Sequence, residues 1–324
     1  MRQGWERDRA EVSLDRAAVA KLLAPIFPGA AVEGAEPVSG GLVNTNLKVT
    51  LAGRSAPVLL RLFQRDGGHG LKEVSLLRKL APLLPVPELL YAADSNPVTG
   101  HAYAILSFIE GRSLDALALG GRDISLAGHA LGTALAEIHA KKFAQFGFLD
   151  SELKVAHPID LDRNGLLAYL ENSFAQNSGA ARLGRDLVTP LRRFIEREGD
   201  RIAAWPGAPC LVHGDCNACN LLVRESPSGA WELAGILDWE FAFSGTPGFD
   251  LAHFLRPPLA SHAAFVEAVA ASYRDSGGAL PPDWQTVARI TDLFAWIDIL
   301  SRPDAGANVI ADARSFIAAI ILGS

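Results

Sequence analysis

Two neighbouring stretches constrain this chain more than anything else in it. They are LVHGDCNACNLLV, residues 211–223, and GILDWEFAFSGTPGFDLA, residues 235–252. Each sets charge-binding side chains on a turn beside a short apolar run. The runs at 210–212, 221–223 and 233–237 have strand character. Asp215, Asn220 and Asp238 fall at their ends. Any one of the three is also an ordinary turn former. Together they match the groups that phosphoryl transfer needs. One carboxylate accepts or orients an acceptor hydroxyl, while a second carboxylate and an amide oxygen hold Mg²⁺ against phosphates. Asp215 and Asn220 have the D-x-x-x-x-N spacing of a kinase catalytic loop, and Asp238 follows after a strand-length insertion.

Around this centre the chain changes character. The first third reads as strands with one helix. Residues 38–50 alternate around a Gly-Gly turn, and PVLLRLF at 57–63 and HAYAILSFI at 101–109 read as buried strands. Residues 71–80 have helical spacing, with Val74, Leu77 and Leu80 on one stripe. After Gly111 the chain turns mostly helical, at 126–140, 160–173, 187–198 and from Phe249 onward. This is an α+β pattern. It divides into a small antiparallel-sheet lobe, 1–108, and a larger helical lobe, 109–324, with a hinge at 107–112. The chain's 324 residues, 49% of them hydrophobic, can bury two such lobes.

The motifs resemble the aminoglycoside phosphotransferase family, which includes choline-kinase-like and homoserine-kinase-like small-molecule kinases. The resemblance runs from about residue 38 to about 256. It rests on H-G-D-x-x-x-x-N at 213–220, on D-W-x and G-x-x-x-x-D-L-A within 237–252, and on LGTALAEIHA and FGFL at 131–140 and 146–149. It implies an enzyme with a bilobal, protein-kinase-like fold; a charged N-terminal stretch without an apolar run makes a cytoplasmic location the default expectation. That enzyme would move the γ-phosphate of ATP, or of GTP, to a hydroxyl of a small molecule. By carry-over Asp215 is the catalytic base, Asn220 and Asp238 are Mg²⁺ ligands, and His213 and Asp250 support the catalytic loop. Ser107, Phe108 and Ile109 would offer backbone to the adenine, and the helical lobe would build the acceptor pocket.

The N-terminal residues fit the same scheme. Ser39, Gly40, Gly41 and Asn44 form a turn whose backbone can approach phosphates closely. It lacks the full G-x-G-x-x-G pattern, and no Walker-type G-K-[ST] is present. Arg61 lies inside an apolar strand, where a cation needs a partner or a ligand. Kinases place a lysine there, paired with a helix glutamate, and Glu73 is the expected partner. Glu240, Asp292, Trp296 and Asp298 are candidates for contact with a cationic acceptor.

Other readings have less support. Cys216 and Cys219 form C-x-x-C, but zinc bound there would distort the proposed catalytic loop, and no second C-x-x-C exists. His139 follows an apolar stripe and reads as a packed or capping residue, and His69 and His253 carry no special spacing. A net charge of −6 argues against a nucleic-acid partner. No run of roughly 18 apolar residues predicts a membrane span. D-W-E in place of D-F-G, with no A-P-E segment, argues against a protein kinase. A non-catalytic nucleotide-binding relative would not need Asp215, Asn220 and Asp238 together.

Overall fold

The computed structural model describes residues 9–38, 43–64, 69–117, 121–176, 178–227, 229–303 and 305–323. Its first part is an antiparallel sheet of β1 (Val32–Pro37), β2 (Thr45–Leu51), β3 (Val58–Leu62), β4 (Leu89–Ala93) and β5 (Tyr103–Ser107). The spatial order is β1-β2-β3-β5-β4. Side chains alternate across a strand, so β2 and β3 present two different faces. Leu47, Val49, Leu51, Val58, Leu60 and Leu62 pack with Tyr103 and Ile105 on one of them. The helix α1 (Arg16–Leu23) covers that face with Val19, Leu22 and Leu23.

This helix is a second one in a region that reads as having one. Its signal is short: Asp15 caps it, accepting from Ala18 N at 2.8 Å, and three buried apolar residues follow. The opposite face of the sheet carries Leu59, Arg61, Ala104 and Leu106. Against it packs α2 (His69–Leu80), through Leu76, Leu77 and Leu80.

The chain leaves the sheet at Ser107, and β6 (Arg112–Ser113) joins a second, three-stranded sheet with β10 (Leu221–Glu225) and β11 (Trp231–Ile236). Between them come α3 (Gly121–His139), β7 (Gly147–Leu149), β8 (Val155–Pro158), α4 (Arg163–Gln176), α5 (Gly179–Leu183), α6 (Arg185–Glu198) and β9 (Cys210–Val212). After β11 follow β12 (Phe243–Gly245), α7 (Gly248–Ala252), α8 (Ala263–Asp275), α9 (Trp284–Ser301) and α10 (Ala307–Leu322). The expected strands and helices around the two motifs therefore form, with ends shifted by a few residues.

Two cores hold the helical part. One joins α3, α8 and residues 211–242 to α2. The other gathers α4, α5, α6, α9 and α10 around Trp296 and Leu300. The α3–α8 contact is close because Gly132 faces the backbone of α8. A Cβ there would lie 2.3 Å from the Val269 carbonyl oxygen. Among the described residues no helix is long and apolar enough to cross a membrane.

Candidate active site

Two strand pairs bring the two sequence motifs together. β10 and β11 pair antiparallel with Leu221 opposite Ile236. Asn220 and Asp238 flank that pair and so come to the same end of the hairpin, where Leu237 N donates to the Asn220 carbonyl at 2.9 Å. On the other side β12 returns to pair with β9, with Phe243 opposite Val212. The loop carrying Asp215 and the turn carrying Asp238 are thus tied at both sides. Gly214 permits the sharp bend between β9 and Asp215. It has φ +76°, and a Cβ would meet the Phe241 carbonyl oxygen at 2.6 Å.

The loop is held from below. Asp250 is fully buried and accepts from His213 N at 2.8 Å and Gly214 N at 2.9 Å. His139 Nε2 approaches the same carboxylate at 3.1 Å, and its Nδ1 lies 3.0 Å from the Tyr273 hydroxyl. Burial alone would raise the Asp250 carboxyl. The hydrogen bond and charge of His139, the charge of His213 and the His213 N–H outweigh it and hold the group below the ordinary carboxylate range. His213 Nε2 lies 2.9 Å from the Leu237 carbonyl oxygen, and its ring packs 4.6 Å from that of Trp239. Asp250 and His213 thus occupy the places expected for loop supports. His139 is buried and engaged by an acid, not a free acid–base group.

At the centre Asp215 is 8% exposed. Asn220 Nδ2 donates to its backbone oxygen at 2.8 Å and to its Oδ2 at 3.1 Å, and Asn217 Nδ2 donates to its Oδ1. Asn220 therefore spends its NH₂ on Asp215, and its amide oxygen is the atom able to act as a ligand. Asp238 has left-handed backbone, φ 67° and ψ 66°. Asp tolerates that region better than most residues. Arg61 Nη2 donates to Asp238 Oδ1 at 2.8 Å and forms an ion pair with Glu73 Oε2 at 3.0 Å, so the expected Arg61–Glu73 pair forms. Burial opposes the Arg61 charge, but Glu73, Asp238 and Glu240 more than offset it and raise the group further. Burial pushes the Glu73 carboxyl upward. The Arg61 charge opposes this, and Asp238 and Glu240 add to it.

Two observations bear on a charged ligand. Arg61 Nε is buried with no hydrogen-bond partner among the described residues, and Asn46 Oδ1, on the residue paired with it across β2 and β3, is likewise unmatched. A buried donor on the guanidinium suits an anion. The Asp238 carboxylate and the Asn220 amide oxygen are hard oxygen ligands of the kind Mg²⁺ takes. The donor set fits both a phosphate and that ion.

Other sequence candidates land differently. Ser39, Gly40 and Gly41 lie outside the described residues. Asn44 is buried. Its Oδ1 accepts from Gln64 N at 3.1 Å, and its Nδ2 donates to Glu240 Oε2 at 3.2 Å. Glu240 therefore belongs to the Arg61 cluster and not to an acceptor pocket. Lys72, which the sequence reading passed over, donates to the Ala242 carbonyl at 2.8 Å. Burial lowers its ammonium to about 8, with Glu240 and Glu73 opposing.

Ser107 N is already committed to the Glu88 carbonyl at 2.8 Å, so it is not a donor to a base. Phe108 and Ile109 follow it, Phe108 beneath the Lys48 ammonium at 4.4 Å and Ile109 against Gly235. Asp292 is buried and paired with both Arg256 Nε, at 2.9 Å, and Arg256 Nη2. Trp296 is fully buried and donates to Asp292 at 2.7 Å. Both serve an internal ion pair, which corrects their reading as acceptor contacts. Asp298 is half-exposed, bonded by Tyr169 Oη at 2.8 Å and by Arg302 Nη2 at 2.8 Å. Arg302 in turn lies over Phe241, close after Asp238.

Burial, then the charges of Asp250 and Asp215, pushes the Cys216 thiol well up. A thiol so held is a poor redox or zinc group.

The description "Phosphotransferase enzyme family" matches residues 34–289. Among curated proteins none matches the chain by sequence. Among solved structures, a thermostable mutant of aminoglycoside phosphotransferase APH(4)-Ia, in a ternary complex with ADP and hygromycin B, is similar over 95% of this chain and 99% of its own. The identity is 19% and the TM-score 0.67. Macrolide 2'-phosphotransferase MphH from Brachybacterium faecium covers 95% of this chain and 97% of its own, at 21% identity and a TM-score of 0.64. The GDP complex of a mutant aminoglycoside 2'-phosphotransferase-IIIa covers 95% and 98%, at 19% identity and a TM-score of 0.69. At these identities the likeness is one of fold.

Proposed function

The chain belongs to the phosphotransferase enzyme family, which makes it a small-molecule kinase, and we propose that it moves the γ-phosphate of ATP or GTP to a hydroxyl with Asp215 as its base. The carrying observation is the constellation itself. Asp215 is oriented on both oxygens by two amides, one of them from Asn220. Asp238 stands beside Asn220 and is gripped by Arg61, which Glu73 also holds.

Asn220 and Asp238 would hold Mg²⁺, which when bound would neutralise phosphate charge. The chain's own groups do the rest. Asp215 receives the hydroxyl hydrogen bond and aims the oxygen at phosphorus. Arg61, with its buried and unmatched Nε, offers a fork to the phosphates. Asp250 keeps the peptide groups of His213 and Gly214 fixed, so that Asp215 is already aimed before substrate arrives. Most of the rate gain comes from positioning and charge. The relatives that carry hygromycin B or act on macrolides support a hydroxylated small molecule as acceptor. A nucleotide-binding protein without turnover is the competing reading, and the full set Asp215, Asn220 and Asp238 speaks against it.

The test is ADP or GDP release from the Mg-nucleotide against a panel of amino-alcohols, sugars, aminoglycosides and macrolides. Turnover with one acceptor, abolished by Asp215→Ala while nucleotide binding persists, is the expected result. Undiminished turnover in that variant would remove Asp215 as the base.

A further inference from the structure

Helix α7 and the turn after it touch the catalytic loop at two points. Asp250 holds the backbone of His213 and Gly214, just before Asp215. His253 lies three residues further along and so on the same face of the helical segment. Its Nδ1 is 2.9 Å from Asn217 Oδ1, just after Asp215. Asn217 passes the contact on, donating Nδ2 to Asp215 Oδ1. One short segment therefore brackets the base from both sides.

We propose that His253 is a positioning residue that orients the Asp215 carboxylate through the Asn217 amide. The inference rests on the reading of Asp215 as the base. An amide has an accepting end and a donating end, and an ionised carboxylate only accepts. The NH₂ of Asn217 must then face Asp215, which turns its oxygen to His253, and His253 Nδ1 must carry a proton. An amide turned the other way would set oxygen against oxygen at Asp215. Packing alone does not hold it, because Asn217 borders a cavity together with His253, Asp115, Cys219, Pro258 and Leu259. His253 borders the same cavity but is only 6% exposed. With Asn217 on Oδ1 and Asn220 on Oδ2 at 3.1 Å, neither carboxylate oxygen can swing away. Orientation is what this chain of contacts supplies.

Two measurements on the full chain test it. Long-range proton–nitrogen correlation of the imidazoles reads the His253 proton directly and needs no substrate. Nδ1 is expected to be protonated, and an unprotonated Nδ1 would mean a turned amide and overturn the proposal. The second is kinetic, with ADP release followed using the best acceptor or, lacking one, water. His253→Ala and Asn217→Ala should each lower kcat roughly tenfold, leave the nucleotide KM within about twofold, and lose no more when combined. His253→Asn, whose Nδ2 can stand where Nδ1 stood, should recover most of the loss even if the alanine variant folds poorly. Additive losses, or no rescue by asparagine, would refute the relay. Asp215→Ala run in parallel separates the two claims. Turnover surviving that change sinks the base assignment, while the His253 proton still reports on the relay.

Discussion

Arg61 serves two carboxylates with one guanidinium, Glu73 at 3.0 Å and Asp238 at 2.8 Å. Both contacts are made by one nitrogen, Nη2, while Nε stays buried with no hydrogen-bond partner among the described residues. A lysine is a point charge and lacks the fork of further nitrogens that a phosphate could use. Arg61→Lys should weaken Mg-nucleotide binding by roughly tenfold and lower the melting temperature of the free protein. Calorimetric titration and a thermal scan check both, and unchanged affinity would show that the fork is not needed. Residues of this kind were legible in the sequence for a physical reason. A cation inside PVLLRLF has nowhere apolar to go, and Asp215, Asn220 and Asp238 sit at fixed offsets from strand ends. Asn217 and His253 were not legible. An amide's role depends on which group faces it across the fold, and 36 residues separate these two. Asp292 misled in the opposite direction, because its buried partner, Arg256, also lies 36 residues away.

At the scale of elements, α2 is anchored by more than its apolar stripe. Lys72 reaches across to the Ala242 carbonyl, beside Glu73, which holds Arg61. A lysine on an amphipathic helix reads as a solvated one, so this tie left no trace in the pattern. It has a pH signature. The unfolded chain keeps the Lys72 proton up to its ordinary 10.5, while the buried ammonium loses it near 8. Between those values the unfolded state holds more protons, so stability gains from this residue as pH rises through the window. Below about 8 the cost of burying the charge is fully present. Lys72→Met should flatten that gain, which is on the order of 2 kcal/mol. Urea unfolding of both proteins at pH 8 and pH 10 reads the difference, and parallel curves would exclude it. Helix α1 shows the other limit of pattern reading. Eight residues with three buried apolar ones give a weak period, and the Asp15 cap is the better sign.

Across the whole molecule, contacts among the described residues join the first sheet and α2 to residues 238–242. They include Arg61 to Asp238, Asn44 to Glu240, and Lys72 to the Ala242 carbonyl. Parts so tied should unfold together. Mg-ATP at about a hundred times its Kd should then raise stability by about 2.7 kcal/mol and move a single calorimetric transition. A second transition that stays in place would show the two parts to be independent. The order of elements and the catalytic segment could be read from local pattern, because strands and phosphate chemistry leave short-range marks. The acceptor's identity could not, because the phosphate-handling residues are the same whatever hydroxyl is used.

The left-handed backbone of Asp238 has a consequence for how this chain can drift. Two filters act on one codon. The first is conformational and admits glycine and asparagine beside aspartate, since these reach positive φ at little cost. The second, on the proposed role of Asp238 as a metal ligand, is chemical and admits aspartate alone. A lineage released from selection for turnover would therefore lose its carboxylate through Asn or Gly, with the turn and the fold intact, long before any bulky residue became tolerable there. Descendants without activity should be sought among well-folded proteins with those two residues at this place, not among damaged ones.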